Sequence, residues 1–224
     1  MRRSLLLLFI LSWSCGPDPI PEPESVVLVA PANLEACNSA SLVNDNERQV
    51  RFQWNASLYT DSYNLVVQNT LTKEQYTQDT SLLINSIILP SGAPYRWFVQ
   101  SRSVLSPVIS TSENWYFYLE DTPETTHFPY PAVLLSPENE SSVSLTGDFS
   151  LFFEWEGNDL DNDIISYDFY LGTDPNQLQL IKGNVTQNGV SQVLKSSTTY
   201  FWNIVSRDSQ KNLSTSDINT FKTN

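Results

Sequence analysis

Histidine, methionine and cysteine are nearly absent from this 224-residue chain, which holds one His, one Met and two Cys. A single histidine, His127, leaves no ordinary Ser-His-Asp arrangement within a domain, and with no spare cysteine pair it excludes ordinary zinc sites. Basic residues are also scarce, 12 Lys and Arg against 25 Asp and Glu, for a formal charge of −13. Contact with phosphates needs a basic face, so nucleic acid is excluded as a partner, and a polybasic membrane patch is excluded for the same reason. The leading apolar run, Leu5 to Leu11, has seven residues, far short of the roughly 20 that cross a bilayer as a helix. Helical periodicity is missing after residue 15. Acids are abundant, yet nothing marks any two of them as the acid and nucleophile of a hydrolase.

What is present begins with Arg2 and Arg3, the apolar run and Ser12-Trp13-Ser14, which together read as an export signal over residues 1–14. Small residues one and three positions before Cys15, with Leu11 upstream, resemble the lipobox of bacterial lipoproteins. The resemblance implies lipidation of Cys15 and an exported, membrane-anchored protein of the bacterial cell envelope, at the outer membrane or cell surface. Its contact with the membrane would be through the lipid only. Ordinary signal cleavage at the same bond is the alternative; it would leave Cys15 free, or able to pair with Cys37. If Cys15 is lipidated, Cys37 reads as a small buried hydrophobe near the first strand. Residues 15–25 hold four prolines and three acids and read as an extended, solvated tether that lifts the rest of the chain off a surface. Loss of residues 1–14 leaves 10 basic against 25 acidic residues, a formal −15 that favours solubility and disfavours anionic partners.

Beyond the tether the sequence repeats itself. Phe52-Gln53-Trp54 recurs as Phe153-Glu154-Trp155, Ser62-Tyr63 as Ser166-Tyr167, and Tyr95-Arg96-Trp97 as Tyr200-Phe201-Trp202, at offsets of 101, 104 and 105. The chain is two copies of one domain, over residues 26–119 and 131–224. The polar, proline-bearing stretch 120–130, which contains His127, reads as the linker. Period-two alternation at Val50, Phe52 and Trp54, at Tyr63, Leu65 and Val67, and at their counterparts predicts strands with one buried face. Turn residues such as Pro90-Ser91-Gly92 and Asp174-Pro175-Asn176 punctuate them. Trp54, Trp97, Trp155 and Trp202 fall on the core faces.

Each copy has a proline-terminated first strand, a tryptophan on the second, Tyr-x-Leu/Phe on the third, and a leucine six residues before a tyrosine (Leu89 to Tyr95, Leu194 to Tyr200). In that order the features resemble fibronectin type III domains, and the last spacing resembles their tyrosine corner. The resemblance implies an all-β chain of two tandem immunoglobulin-like (fibronectin type III) β-sandwiches after a lipoprotein-type signal peptide. The second copy departs at Ser196-Ser197, which replace the proline-glycine type of turn, and at Asn219-Thr220-Phe221, which stand where the first copy has an aromatic run.

Two groups are candidates for binding. In Trp115-Tyr116-Phe117-Tyr118, if Trp115 and Phe117 point inward, alternation turns Tyr116 and Tyr118 outward, where paired tyrosines would stack on a sugar ring or anchor a protein. The alternative is that they merely cover the sheet. Asp159, Asp161 and Asp163, between the second and third strands of the second copy, offer alternating oxygens to calcium. The loop is not an EF-hand, because Ile164 and Tyr170 stand where Gly and Glu are required. Asp and Asn also close such turns on their own backbone, and this is the favoured reading. No cofactor is otherwise implied.

The sequence thus points to a non-catalytic cell-envelope lipoprotein whose two domains mediate protein or glycan interaction. A passive spacer or assembly subunit of a surface complex is the alternative, and a polysaccharide or peptide hydrolase ranks last.

Overall fold

The computed structural model describes residues 20–37, 39–120, 126–145 and 147–224; the expected signal peptide, Cys15 and the start of the tether lie outside the described residues. The first copy comprises β1 (Leu28–Ala30), β2 (Glu35–Ala36), β3 (Ser41–Asn44), β4 (Glu47–Trp54), β5 (Ser62–Asn69), β6 (Gln75–Thr80), β7 (Ile84–Pro90), β8 (Ala93–Arg102), β9 (Ile109–Thr111) and β10 (Trp115–Leu119). The second comprises β11 (Val133–Ser136), β12 (Ser141–Val143), β13 (Ser150–Glu156), β14 (Ile164–Gly172), β15 (Gln179–Val185), β16 (Gly189–Val193), β17 (Thr199–Asp208), β18 (Leu213–Thr215) and β19 (Asn219–Thr223). Among the described residues no helix is long and apolar enough to cross a membrane.

In the first copy β4 pairs with β1, β3 and β7, and this sheet faces another in the order β2-β10-β8-β5-β6, with β9 beside β8. The second copy repeats the plan with β11-β13-β16 facing β12-β19-β17-β14-β15, and β18 beside β17. Pairings are antiparallel except β2 with β10 and β12 with β19. The chain is therefore all-β, two sandwiches of fibronectin type III-like strand order, as the resemblance implies.

Alternation decides which side chains fill each sandwich. Val50, Phe52 and Trp54 of β4 are buried while Arg51 between them is exposed and Gln53 half-buried, and Tyr95, Trp97 and Val99 of β8 are buried in the same rhythm. Full burial of each such side chain stabilises the fold by about 1.5–3 kcal/mol, and edge-to-face ring pairs add about 0.5–1.5 kcal/mol. Phe52 meets Trp97 at 5.1 Å, and its counterpart Phe153 meets Trp202 at the same 5.1 Å. Both tyrosine corners form, with opposite roles for the hydroxyl. Tyr95 Oη donates to the Pro90 carbonyl at 2.7 Å, whereas Tyr200 Oη accepts from the Lys195 amide at 3.0 Å. Burial pushes the Tyr95 hydroxyl well above the ordinary tyrosine range. Cys37 is a buried free thiol, its pKa raised mainly by that burial.

Strand direction places the ends of each sandwich. Leu28 of β1 pairs with Trp54 at the end of β4, so the incoming chain lies beside the loop after β4. Leu119 of β10 pairs with Ala93 at the start of β8, so the chain leaves the first sandwich at the opposite end. There it meets the loop after β13, which carries the three candidate aspartates.

Candidate functional site: the joint between the sandwiches

The alternation expected of β10 holds: Phe117 is wholly buried in the core and stacks on Tyr95 at 5.5 Å, and Trp115 meets Trp97 edge-on at 6.1 Å. Tyr116 and Tyr118 accordingly project from the other face. The expectation that they form an exposed pair is corrected, because Tyr118 retains only 1% of its accessible surface and Tyr116 is half-buried. Their cover is the segment read as a solvated linker. The Tyr118 ring meets His127 edge-on at 4.7 Å, and its hydroxyl donates to the Gly92 carbonyl at 3.3 Å. Tyr116 lies 6.2 Å from the ring of Tyr130, which is itself buried. Residues 121–125 lie outside the described residues, but from His127 to Ala132 the chain is mostly buried against the sandwiches. In the second copy the positions of Tyr116 and Tyr118 are held by Thr220 and Lys222, so the aromatic outer face belongs to the first copy alone.

His127 ties this segment to the aspartate loop. Its backbone amide donates to Asp161 Oδ2 at 2.6 Å, Nδ1 lies 2.8 Å from Asp161 Oδ1, and Nε2 lies 3.5 Å from Glu120 Oε1. The only histidine of the chain is thus a structural pin between β10 and the second sandwich. Tyr130 adds two bonds, from its amide to the Asn158 carbonyl at 2.9 Å and from its hydroxyl to the Glu35 carbonyl at 3.3 Å. Burial, helped by Asp159, holds the Tyr130 hydroxyl well above the ordinary tyrosine range. Arg96 of β8 forms an ion pair with Asp217, a residue of the second sandwich. Beside that pair runs a groove of about 290 Å³ lined by Glu113, Asn114, Tyr116, Leu134, Asp217 and Asn219. Burial also raises the Tyr116 hydroxyl pKa, with Asp217 adding to the shift and Arg96 opposing it.

Asp159, Asp161 and Asp163 do converge, each offering an oxygen within 4.8 Å of the others. Their hydrogen bonds divide their roles. Asp159 Oδ1 accepts the Asp161 amide at 2.7 Å and closes the turn; Asp163 Oδ2 accepts the Ser209 hydroxyl at 2.6 Å and joins this loop to the β17–β18 turn. Asp161 has both oxygens engaged by His127. Asp159 Oδ2 and Asp163 Oδ1 are buried with no hydrogen-bond partner among the described residues. Two unengaged carboxylate oxygens are few for calcium, which takes six to eight oxygen ligands. Burial, with the charges of Asp163, Asp161 and Asp208 and against the pull of the Asp161 amide, pushes Asp159 up to about 6.

Sequence patterning marked Tyr116, Tyr118 and the aspartates but missed Tyr130, Glu35, Arg96 and Asp217. Each of these acts through a residue tens of positions away, and no local spacing signals such a contact.

No protein family matches the sequence, and no curated protein matches it. Among solved structures, the chain is similar to the fibronectin(III)-like modules of Clostridium thermocellum CbhA, at 15% identity over 88% of this chain and 93% of that one, with a TM-score of 0.36. It is also similar to the fn3 domain of the human collagen alpha-1(XX) chain, at 17% identity over 51% of this chain and 98% of that one, with a TM-score of 0.32. The strand order and the paired tyrosine corners, rather than these likenesses, carry the conclusion that the chain is a tandem of two fibronectin type III-like sandwiches.

Proposed function

We propose that this protein is a non-catalytic lipoprotein of the bacterial cell envelope, anchored through a lipid on Cys15, whose two sandwiches act as one locked unit that spaces or assembles components of a surface complex. One observation carries the reading: Tyr118, His127 and Tyr130, which a flexible pair of binding modules would leave in water, are buried where the two sandwiches meet. Ordering a joint of this kind sacrifices chain entropy, and its return is a fixed separation between the two ends. A second reading, binding of a glycan or protein, is supported by the groove beside Tyr116, where a tyrosine ring is surrounded by the carboxylates of Glu113 and Asp217 and the amides of Asn114 and Asn219. Ring stacking with hydroxyl-directed polar groups is the chemistry a sugar would use.

Intact mass tests the anchor: a lipid adduct that is lost in Cys15→Ser supports it, and an unmodified chain refutes it. Crosslinking in cells followed by affinity capture separates the two roles. Retention of the same envelope partner by wild type and Tyr116→Ala supports the spacer or assembly role. Loss of that partner in Tyr116→Ala, with fold intact by circular dichroism, overturns it in favour of the groove.

A further inference from the structure

The end of the first sandwich that faces the tether is apolar. Val104 is 85% exposed and Leu105 68% exposed in the loop after β8, while Leu58 is 61% exposed and Tyr59 55% exposed in the loop after β4. These two loops form one tip. The Asp61 carboxylate accepts the Val104 amide at 2.8 Å and the Ser103 hydroxyl at 3.2 Å, and Ser57 Oγ lies 3.2 Å from Ser101 Oγ. The tether is seated on the same tip: the Glu24 amide donates to the Leu58 carbonyl at 3.0 Å, and Ser110 Oγ donates to the Pro23 carbonyl at 2.5 Å. Pro23 and Glu24, which composition reads as tether, therefore belong to the sandwich.

The same loops in the second copy are polar. They carry Asn158, Asp159, Asp161 and Asp163 after β13, and Ser209, Gln210, Lys211 and Asn212 after β17. The loop after β13 meets the linker segment, at His127 and Tyr130, instead of the tether. At this pair of loops, strongly exposed apolar side chains thus belong to the copy next to the anchor, at the end nearest to it. From Cys15 to Pro23 the chain spans eight residues, about 25 Å when extended as polyproline. A lipid on Cys15 would hold the tip within that distance of the bilayer at high effective concentration. Solvent-exposed leucine and valine at a loop apex, with an aromatic ring beside them, suit the headgroup and upper acyl region, where apolar side chains leave water and tyrosine keeps its hydroxyl wet.

We infer that Leu58, Tyr59, Val104 and Leu105 form a membrane-contacting tip that dips into the surface of the bilayer holding the Cys15 lipid and sets the tandem upright on it. The inference rests on the anchored-lipoprotein reading proposed above. It adds a second, non-covalent membrane contact and fixes which end of the molecule is proximal.

The test uses the lipidated mature chain in phosphatidylcholine vesicles, in a Cys37→Ala background. An environment-sensitive fluorophore is attached at Leu105→Cys or, as control, at Ser196→Cys, an exposed turn at the far end of the second sandwich. Intact mass and vesicle flotation first establish that the lipid is present and the chain is bound. The expected result is a blue-shifted emission at 105, quenched by nitroxide-bearing lipids, with emission at 196 as in buffer. Adding Leu58→Asp and Val104→Asp abolishes the shift at 105 while flotation persists. A chain that carries its lipid and floats but whose label at 105 stays in water overturns the tip and leaves the anchor standing. A chain with no lipid adduct overturns both.

Discussion

Replacing Asp161 by alanine should open the joint without unfolding either sandwich. The substitution removes two bonds to one carboxylate, from the His127 amide at 2.6 Å and from Nδ1 at 2.8 Å, and leaves the Phe52 and Phe153 cores untouched. A hydrogen bond to a charged acceptor contributes about 1.5–3 kcal/mol net, and the site is only partly buried, so the lower half of that range applies to each. Loss of the amide bond alone should speed hydrogen exchange at His127 by about 10- to 40-fold, at about 1.4 kcal/mol per decade. His127→Ala keeps the backbone bond and loses the side-chain one, so a double-mutant cycle with Asp161→Ala should give a coupling of about 1–2 kcal/mol. The assay is native-state exchange read at the His127 amide, with the Val99 and Ile204 amides as internal references; both are held by serine hydroxyls at 3.0 Å within the cores. Unchanged exchange at His127 in Asp161→Ala, or a cycle that closes at zero, would refute the pinned joint. Faster exchange at all three amides would show that the effect is global.

Asp159 should give the protein a pH-dependent weakness. Its pKa is raised to about 6, mainly by burial, so the folded state holds the proton more tightly than the unfolded chain does. Stability from this group is fully present below about pH 4 and lost as pH rises through about 6. Asp159→Asn, whose Oδ1 can still accept the Asp161 amide, should flatten urea-denaturation stability across that window and raise it at pH 7 by up to about 1 kcal/mol, allowing for solvent screening. Calcium at millimolar concentration should move the melting temperature by less than about 1 °C, since Asp161 is engaged by His127; a rise of several degrees that disappears in Asp163→Asn would establish a calcium site instead. Trp202→Ala, at a fully buried site, should cost about 3–5 kcal/mol in chemical denaturation, and a loss under 1 kcal/mol would contradict its place in the core.

The all-β class, the doubling of the domain and the core tryptophans were legible along the chain, because those rest on period-two alternation and on spacings repeated within it. Both tyrosine corners were legible in the same way, since a corner closes over five or six residues. The inward turn of Phe117 was legible too, and with it the outward turn of Tyr116 and Tyr118. The cover over that outer face was not. Alternation tells which way a side chain points, whereas its exposure depends on a surface brought up from elsewhere, here His127 and Tyr130 of a stretch whose prolines and acids read as solvated chain. The aspartate loop shows the same division. Its composition announced a turn and a cluster of oxygens, but not that Asp161 would accept from a histidine 34 residues upstream, because which partner reaches a carboxylate is set by the packing of the two sandwiches and not by spacing along the chain.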